Sequence, residues 1–298
     1  MNSKRMRKTA DSFLYGLMIV SSLAVGAALL GIIAYILVQS AGKIKPSVIF
    51  ASSSSAPVRP DSPGSASLLP MIASTAWTVL VSLAIALPVG IVTAIYLHEY
   101  APKALLRRII GLAIDTLAGI PSIIYGLFGL LFFCRVFNLG QSIIAGGLTL
   151  SIMILPVIIR TTEEALKTVP DTFREGSLSL GATKLQTTVH AVLPPALPGI
   201  LTAAILAAGR VVGESAPVLL TVGIAKNLPK SIFEPGRTLT IHLYYLTKEA
   251  IGPDDFANAF TAAAVLIILV LIINTLVKII GRGFGSLAGG TGGWENID

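Results

Sequence analysis

Long stretches without a charged residue dominate this sequence and leave few folds open to it. Five runs contain no Asp, Glu, Lys or Arg, and a sixth, Ile109–Cys134, contains only Asp115. The five runs are Ser12–Gly42, Ser62–His98, Val136–Ile159, Leu185–Gly209 and Phe256–Val277. A helix needs about 20 apolar residues to cross the hydrocarbon core of a membrane, and 12% charged residues are too few to give these runs a water-soluble surface.

We therefore predict an all-α integral membrane protein with six transmembrane helices. They lie near residues 13–38, 72–97, 109–134, 143–159, 198–222 and 257–280, and an earlier start by a few residues would lengthen the short fourth span.

The Lys and Arg residues between these spans indicate the orientation, because cytoplasmic connections carry an excess of them. The chain ends and the connections after the second and fourth spans hold 13, and the opposite connections hold eight, mostly in long loops. We therefore expect residues 1–12 and 281–298 in the cytoplasm. The net charge of +7 reflects this topology and not nucleic-acid binding, since no basic face with aromatic residues is present. The first apolar run, of about 26 residues, is longer than the ~7–15 of a signal peptide and is interpreted as a retained span.

The two long external connections differ in character. Residues 39–71 contain four consecutive serines and several prolines, which is typical of a flexible linker and not of a folded domain. Residues 223–255 mix charged and aromatic side chains, and we expect one or two short helices there that could touch an external partner. Prolines inside four spans predict a kink in each. They are Pro88, Pro121, Pro156 and Pro217.

The connection between the fourth and fifth spans, residues 160–197, is far longer than a link between two helices needs, and its pattern is helical throughout. Pro170 and Asp171 suit the first turn of a helix, and Gly181 suits its C-terminal cap. A further stretch has apolar residues at helical spacing, namely Leu185, Val189 and Val192. A cytoplasmic helical hairpin with exposed apolar positions is typical of a docking surface for another protein.

Two charges lie inside the predicted fifth span, Arg210 and Glu214. Counted from Gly199, Arg210 falls near the midplane, where a charge costs about 2.5–3.5 kcal/mol on insertion scales. The i, i+4 spacing puts both residues on one helix face, where they can pair. Arginine offers a planar fork that binds an oxyanion through two hydrogen bonds and never deprotonates. We interpret the two residues as lining a permeation path, with Glu214 neutralising the arginine when the path is empty; a pair that only locks helices together is the alternative. Asp115 suits a pore role or a charge at headgroup level equally.

Signatures of catalysis are missing from the sequence. The three histidines are scattered, Gly213-Glu214-Ser215 is not a nucleophile elbow, and the lone Cys134 permits no internal disulfide and suggests no metal site. The only Gly-Lys pair, Gly42-Lys43, lacks the glycine spacing of a Walker A motif. We therefore expect no enzyme activity, no cofactor and no metal in this chain, and we expect another chain to supply any ATP hydrolysis.

Several segments carry a resemblance to a known family. Glu175-Gly176-Ser177, Gly181 and Leu193-Pro194 have the spacing of the cytoplasmic "EAA" loop of ABC importer permeases, with Gly176 and Ser177 in place of two alanines and Ala191 in place of the usual isoleucine. The segments that resemble phosphate-importer permeases in particular are 88–90, 94–100, 119–129, 181–183 and 210–217. The Ala-Pro after Gly-Glu-Ser is more similar to the A-type subunit, the PstA family of the phosphate-specific transport system, than to the C-type.

This resemblance covers residues of about 72–280 and implies a type I ABC importer permease fold in the bacterial cytoplasmic (inner) membrane. It implies a heterodimer with a second, C-type permease, two copies of a cytoplasmic phosphate-importing ATPase, and a periplasmic or lipid-anchored phosphate-binding protein. Carried over by position, the coupling region held by the ATPase would contain Glu175, Gly181, Ala182, Thr183 and Leu185. Arg210 and Glu214 would belong to the anion path.

The expected function is ATP-driven import of inorganic phosphate, with this chain forming half of the translocation path. An ABC permease for molybdate, sulfate or a phosphonate is an alternative, since one arginine does not distinguish tetrahedral oxyanions. A secondary anion transporter is a further alternative, although it would need no docking hairpin and should show inverted repeats.

Overall fold

The structure is a computed structural model that describes residues 2–42, 67–101, 104–250 and 252–288. Most of the predicted linker and the last ten residues of the tail lie outside these ranges. The described chain is all-helical, as predicted. Its helices are α1 (Asn2–Ser40), α2 (Leu69–Tyr100), α3 (Ala104–Gly119), α4 (Ser122–Val136), α5 (Ile143–Lys167), α6 (Asp171–Ser179), α7 (Lys184–Gly213), α8 (Ala216–Thr221), α9 (Leu239–Glu249) and α10 (Pro253–Ala288). Three segments within them have π-helical hydrogen bonding: Tyr96–Tyr100 in α2, Leu130–Val136 in α4 and Thr187–Val192 in α7.

Five of these helices, α1, α2, α5, α7 and α10, are long and apolar enough to cross a membrane. α3 and α4 together make a sixth candidate span, but they meet at an angle of 96°. The kinked single helix predicted over 109–134 is therefore two helices. Pro121 explains the break, because it has an extended backbone (ψ 139°) at the start of α4 and no N–H to offer the preceding turn. Pro88 and Pro156 lie inside α2 and α5, as predicted.

The fourth span gains its length at the end opposite to the one expected. α5 begins at Ile143, where the Ser142 side chain accepts a hydrogen bond from the Ala145 N–H and caps the helix. It then continues to Lys167 instead of ending at residue 159. Residues 160–167, expected in the cytoplasmic connection, are therefore the last turns of this helix.

The fifth span also differs from the prediction of one helix over 198–222. α7 begins at Lys184 and ends at Gly213, so that residues 184–197 belong to the helix and not to a connection. The next two residues are not helical, and Pro217 lies in the first turn of a new helix, α8, instead of kinking a span. Proline is well suited to this place, since the first turn of a helix does not use its own N–H groups.

The centre of the bundle is formed by α2, α5 and α7. α2 lies close against α5 at Gly90, where an added Cβ would collide with Ile158, and the Ser151 hydroxyl of α5 donates a hydrogen bond to the Ser82 carbonyl of α2 (3.0 Å). The buried residues of α7 from Leu193 onward are mostly small: Ala196, Ile200, Ala203, Ala204, Ala207, Ala208, Val211 and Val212. Small residues allow helices in a membrane to approach closely, so this packing fixes the position of the end of α7.

The short helices lie at the two ends of this bundle. At one end, α8 packs on α4, where Gly126 leaves room for the Pro217 backbone. At the same end, α9 is the one short helix that the structure describes within residues 223–255, where one or two were predicted, and its Leu239 N–H donates to Thr75 Oγ1 of α2 (2.9 Å). At the other end, α6 and the first turn of α7 form a hairpin.

Candidate substrate path and coupling surface

The end of α7 carries both residues that the sequence indicated for an anion path. Arg210 lies in the last turn of the helix, and Glu214 follows the last helical residue with an extended backbone (φ −75°, ψ 135°). The prediction that the two lie on one face of a continuous helix is therefore wrong. Their side chains meet nevertheless, with Arg210 Nε 3.7 Å from Glu214 Oε1. Because α7 ends at Gly213 and does not continue to residue 222, Arg210 is also closer to the end of its helix than predicted.

Arg210 is held loosely by its surroundings. Its side chain is 36% exposed, and that of Glu214 is 16% exposed. The separation of 3.7 Å makes an ion pair but is too long for a hydrogen bond. Among the residues that the structure describes, none makes a hydrogen bond to the Arg210 guanidinium. A guanidinium has five N–H donors in a fixed fork, and those of Arg210 are therefore available to an oxyanion.

Neighbouring helices hold the break after α7 in place. Thr240 of α9 donates a hydrogen bond to the Val212 carbonyl (2.7 Å). Tyr125 of α4 is buried, donates to the Leu117 carbonyl (2.7 Å) and lies within electrostatic range of Arg210. Tyr125 is thus near Arg210, and Thr240 fixes the backbone two residues after it.

A cavity of about 440 Å³ opens beside this break. It is lined by Ser215 and by mostly apolar side chains of α1, α9 and α10, including Ile36, Phe256 and Phe260. Arg210 is not among its lining residues. An apolar lining cannot replace the hydration of an oxyanion, so this cavity does not offer the chemistry that an anion needs.

Asp115 has a partner that the sequence did not suggest. Arg160 of α5 donates to Asp115 Oδ1 (2.6 Å), to Glu163 Oε2 (2.8 Å) and to the Gly111 carbonyl (3.0 Å). The arginine therefore ties α3 to α5. Asp115 neutralises a cation on the neighbouring helix, a use that neither expectation for it included.

The predicted coupling residues lie together in the hairpin between α6 and α7. Glu175 is exposed on α6, and Gly181 follows the helix with a left-handed backbone (φ +86°), as the capping pattern predicted. The Thr183 side chain accepts from the Gln186 N–H, and the Gln186 side chain accepts from the Thr183 N–H, so that the two residues cap the start of α7. Leu185 follows within this first turn.

The outer surface of the hairpin carries several large apolar side chains. α6 starts after Pro170, as predicted, and has no buried residue. The exposed apolar side chains of the hairpin are Phe173, Leu178, Leu180 and Leu185. Leu180 is 91% exposed. Large apolar side chains exposed together mark an interaction site.

One side chain of α6 is directed toward the bundle. Arg174 is 15% exposed, and its guanidinium donates to Glu99 Oε1 (2.9 Å), to the Leu166 carbonyl (3.0 Å) and to the Val169 carbonyl (2.8 Å). Glu99 lies in the π-helical end of α2, is 9% exposed and also contacts His98 Nδ1 (2.9 Å). Arg174 therefore joins α6 to the ends of both α2 and α5.

A further buried arginine lies at the opposite end of the bundle. Arg237 is 7% exposed, donates from Nε to the Ile224 carbonyl (3.1 Å) and lies over the Tyr245 ring at 4.6 Å. His242 of α9 is 4% exposed. Burial, together with the positive charges of Arg237 and Lys226, lowers the pKa of His242 to about 4, and this histidine is neutral at physiological pH.

Sequence reasoning missed the connections made by Arg160, Arg174 and Glu99. The available signal was their position: Glu99 and Arg160 each follow directly on a charge-free run, at the ends of neighbouring spans. Opposite charges at the same end of a bundle are candidates for pairing. Which of them pair depends on the rotation of each helix, and apolar runs without a clear polar face do not give that rotation.

This fold has known relatives. The sequence profile of a family described as "Binding-protein-dependent transport system inner membrane component" matches residues 86–286. The chain belongs to this family. It is a multi-pass membrane protein and the permease component of an ABC importer, in a family whose systems depend on a substrate-binding protein.

Two relatives of this permease are informative. The "Probable ABC transporter permease protein YqgI" of Bacillus subtilis is 31% identical over 288 residues, which cover 92% of this chain and 96% of the relative. The "Phosphate transport system permease protein PstA 1" of Mycobacterium tuberculosis is 39% identical over 196 residues, which cover 65% of this chain and 64% of the relative. The chain thus spans slightly less than two thirds of this second protein.

The fold of the permease is also found in a solved structure. A bacterial ABC transporter involved in the import of the acidic polysaccharide alginate has a chain with a TM-score of 0.64 at 14% identity, covering 94% of this chain and 99% of that chain. At this identity the match establishes the fold alone, which is the predicted type I ABC importer permease fold.

Proposed function

We propose that this permease imports inorganic phosphate, forming half of the translocation path of an ATP-driven transporter. The observation that carries the proposal is Arg210, a half-exposed guanidinium without a hydrogen-bond partner in the described part of the chain. A permanently charged, bidentate donor suits a tetrahedral oxyanion. The similarity to a phosphate transport permease supports phosphate as that ion.

Glu214 gives the proposed path a way to release its ion. Its carboxylate lies 3.7 Å from Arg210 and competes with an arriving anion for the same guanidinium. A permeation site has to bind its ion strongly enough to admit it and weakly enough to let it leave. An arginine alone would hold phosphate too long, and the adjacent carboxylate weakens that hold.

The hairpin between α6 and α7 is the proposed docking surface for the ATPase. Its exposed apolar side chains lie among the residues predicted to contact the ATPase, which are Glu175, Gly181, Ala182, Thr183 and Leu185. In this proposal the hairpin and both chain termini are cytoplasmic. The complete transporter contains a second, C-type permease, two copies of the ATPase, and a periplasmic or lipid-anchored phosphate-binding protein.

Uptake of radiolabelled phosphate tests this function directly. Membrane vesicles would contain the chain and its co-encoded partners, with and without ATP, and would be challenged with excess sulfate or molybdate. ATP-dependent uptake that neither anion reduces is the expected result. Uptake without ATP would indicate a secondary transporter, and ATP-driven uptake blocked by sulfate or molybdate would indicate another oxyanion.

A further inference from the structure

The coupling hairpin contacts the end of α2 at two places. Arg174 of α6 pairs with Glu99, and Lys184, the first residue of α7, lies over the Tyr100 ring with its Nζ 5.1 Å from the centre. The two arms of the hairpin are joined to each other by a hydrogen bond between the Ser177 and Thr187 hydroxyls (3.0 Å). The last turn of α2 is therefore held from both arms of one small unit.

The contact at Arg174 reaches a second span as well. The same guanidinium that pairs with Glu99 donates to the Leu166 carbonyl in the last turn of α5 and to the Val169 carbonyl just after it. α2 and α5 in turn lie close together along their length, through Gly90 and through the hydrogen bond from Ser151. A displacement of α6 would thus act on α2 and α5 together.

A gain in the free energy of unfolding does not explain why two charges are buried here. Glu99 is 9% exposed and Arg174 is 15% exposed, so that both charges have lost most of their water. The attraction between buried charges roughly offsets this desolvation, and apolar side chains of similar size would often stabilise the fold as well. What a buried, directional pair adds is a fixed geometry between the elements that it joins. Here those elements are the surface proposed to hold the ATPase and two spans of the permease.

We propose that Arg174 and Glu99 are positioning residues that transmit movement of the ATPase from the coupling hairpin to α2 and α5. The inference rests on the proposed coupling role of the hairpin. The pair touches neither substrate nor nucleotide, and it acts by making α6 and the ends of α2 and α5 move as one unit. α7, which carries Arg210, leaves the same hairpin through the π-helical turn Thr187–Val192.

The experiment compares two rates in the same proteoliposomes, which contain the whole transporter: radiolabelled phosphate uptake and ATP hydrolysis. Arg174→Gln and Glu99→Gln each remove one charge at nearly constant size. The expected result is a ratio of phosphate imported to ATP hydrolysed that falls at least about fivefold, the low end of measured coupling between sites. The double variant should be no worse than Arg174→Gln alone, since the pair acts as one link, and Arg174→Lys should recover part of the ratio.

Lys167→Gln is the matched control. It breaks the exposed pair of Lys167 with Glu164 (2.7 Å) at the same end of the bundle, and it should leave the ratio unchanged. Uptake and hydrolysis that fall in proportion in Arg174→Gln and Glu99→Gln would overturn the inference, because the pair would then only hold the complex together. An unchanged ratio in both would overturn it too. Glu99→Gln leaves the bonds from Arg174 to the α5 end in place. It therefore tests the pair even if the transporter that contains Arg174→Gln does not assemble.

The wild-type vesicles report on the proposed function separately. Uptake of sulfate or molybdate in place of phosphate would overturn the choice of ion, and the ratio of that anion to ATP would still test the link between Arg174 and Glu99.

Discussion

Arg174 and Arg160, at one end of this permease, are in a different state from Arg210, at the other end of α7. At the end with the coupling hairpin, Arg174 and Arg160 each contact two carboxylates and at least one backbone carbonyl. At the other end of α7, Arg210 has a single carboxylate at 3.7 Å, and the described chain offers it no hydrogen bond. A guanidinium with its donors in use fixes helices to one another. A guanidinium with free donors can bind a transient ligand.

Exposure alone does not separate the two states. Arg160 is 41% exposed and Arg210 is 36% exposed, yet one is fully engaged and the other is not. The difference lies in the backbone around them. Arg160 lies opposite Gly111, where the lack of a side chain opens a carbonyl to it. Arg210 lies where its helix ends, so that Glu214 turns away with an extended backbone.

The strongest test of this comparison is to remove the free arginine. Arg210→Ala should reduce phosphate uptake at least about 100-fold, because two charge-assisted hydrogen bonds of about 1.5–3 kcal/mol each are lost. The complex should still assemble, since Arg210 fixes no neighbouring helix. Uptake in vesicles and co-purification of the partner chains measure the two effects.

Arg135→Ala is the control for Arg210→Ala. It removes the same charge from an exposed position in the π-helical end of α4 and should leave uptake near the wild-type rate. Full transport by Arg210→Ala would show that the free guanidinium is not on the anion path.

The second largest effect is expected at the coupling hairpin, where docking and not ion binding is lost. Glu175→Lys reverses a charge on the exposed face of α6, and one residue inserted after Gly181 displaces the turn that its left-handed backbone makes (φ +86°). Either change should reduce the ATPase that co-purifies with the permease at least about tenfold, as the loss of an interface hot spot does. Glu164→Lys, a reversal on the exposed surface of α5, is the control. Co-purification at the wild-type yield would show that the hairpin has another role.

Local patterns predicted this hairpin well. Pro170 and Asp171 start α6, and Gly181 caps it, because each of these effects depends on a few neighbouring residues. The all-helical fold and the six spans could also be predicted from the sequence, since runs of apolar residues are sufficient to indicate them.

Tertiary contacts decided what the sequence could not show. Pro121 and Pro217 were expected to kink spans, but each starts a new helix, and α4 packs on α8 where Gly126 meets Pro217. Arg210 and Glu214 were predicted to share one face of a continuous helix. That conformation was wrong, since a helix end at Gly213 has no local signal stronger than glycine itself. The pair of Arg174 and Glu99 joins residues 75 positions apart, and no local pattern connects them.

A smaller effect is expected from acid at the end that carries the free arginine. The pKa of His242 is about 4 in the folded protein and about 6.5 in an unfolded chain. Below pH 6.5 the unfolded chain therefore binds a proton that the folded protein does not, and stability falls as the pH falls from 6.5 toward 4. Between pH 7.5 and 5.5 this amounts to about 1 kcal/mol. Protonation would place another positive charge near Arg237 and Lys226.

Thermal melting of the purified complex across this pH range measures the effect. His242→Gln should remove this part of the pH dependence, and His190→Gln, which changes an exposed histidine, should retain it. The same pH dependence in wild type and His242→Gln would show that another group is responsible.

The smallest expected effect tests whether Glu214 makes Arg210 release its ion. In Glu214→Gln the guanidinium keeps its position but loses the competing charge at 3.7 Å, an interaction of about 1 kcal/mol if the site is well hydrated. Phosphate should then leave more slowly, and the maximum rate of ATP-driven uptake should fall by up to about fivefold. Glu249→Gln, a change in the exposed last turn of α9, is the control and should not alter the rate. A rate in Glu214→Gln that equals or exceeds the wild-type rate would mean that Arg210 needs no competitor, and the loose pairing of this arginine would then reflect only the end of its helix.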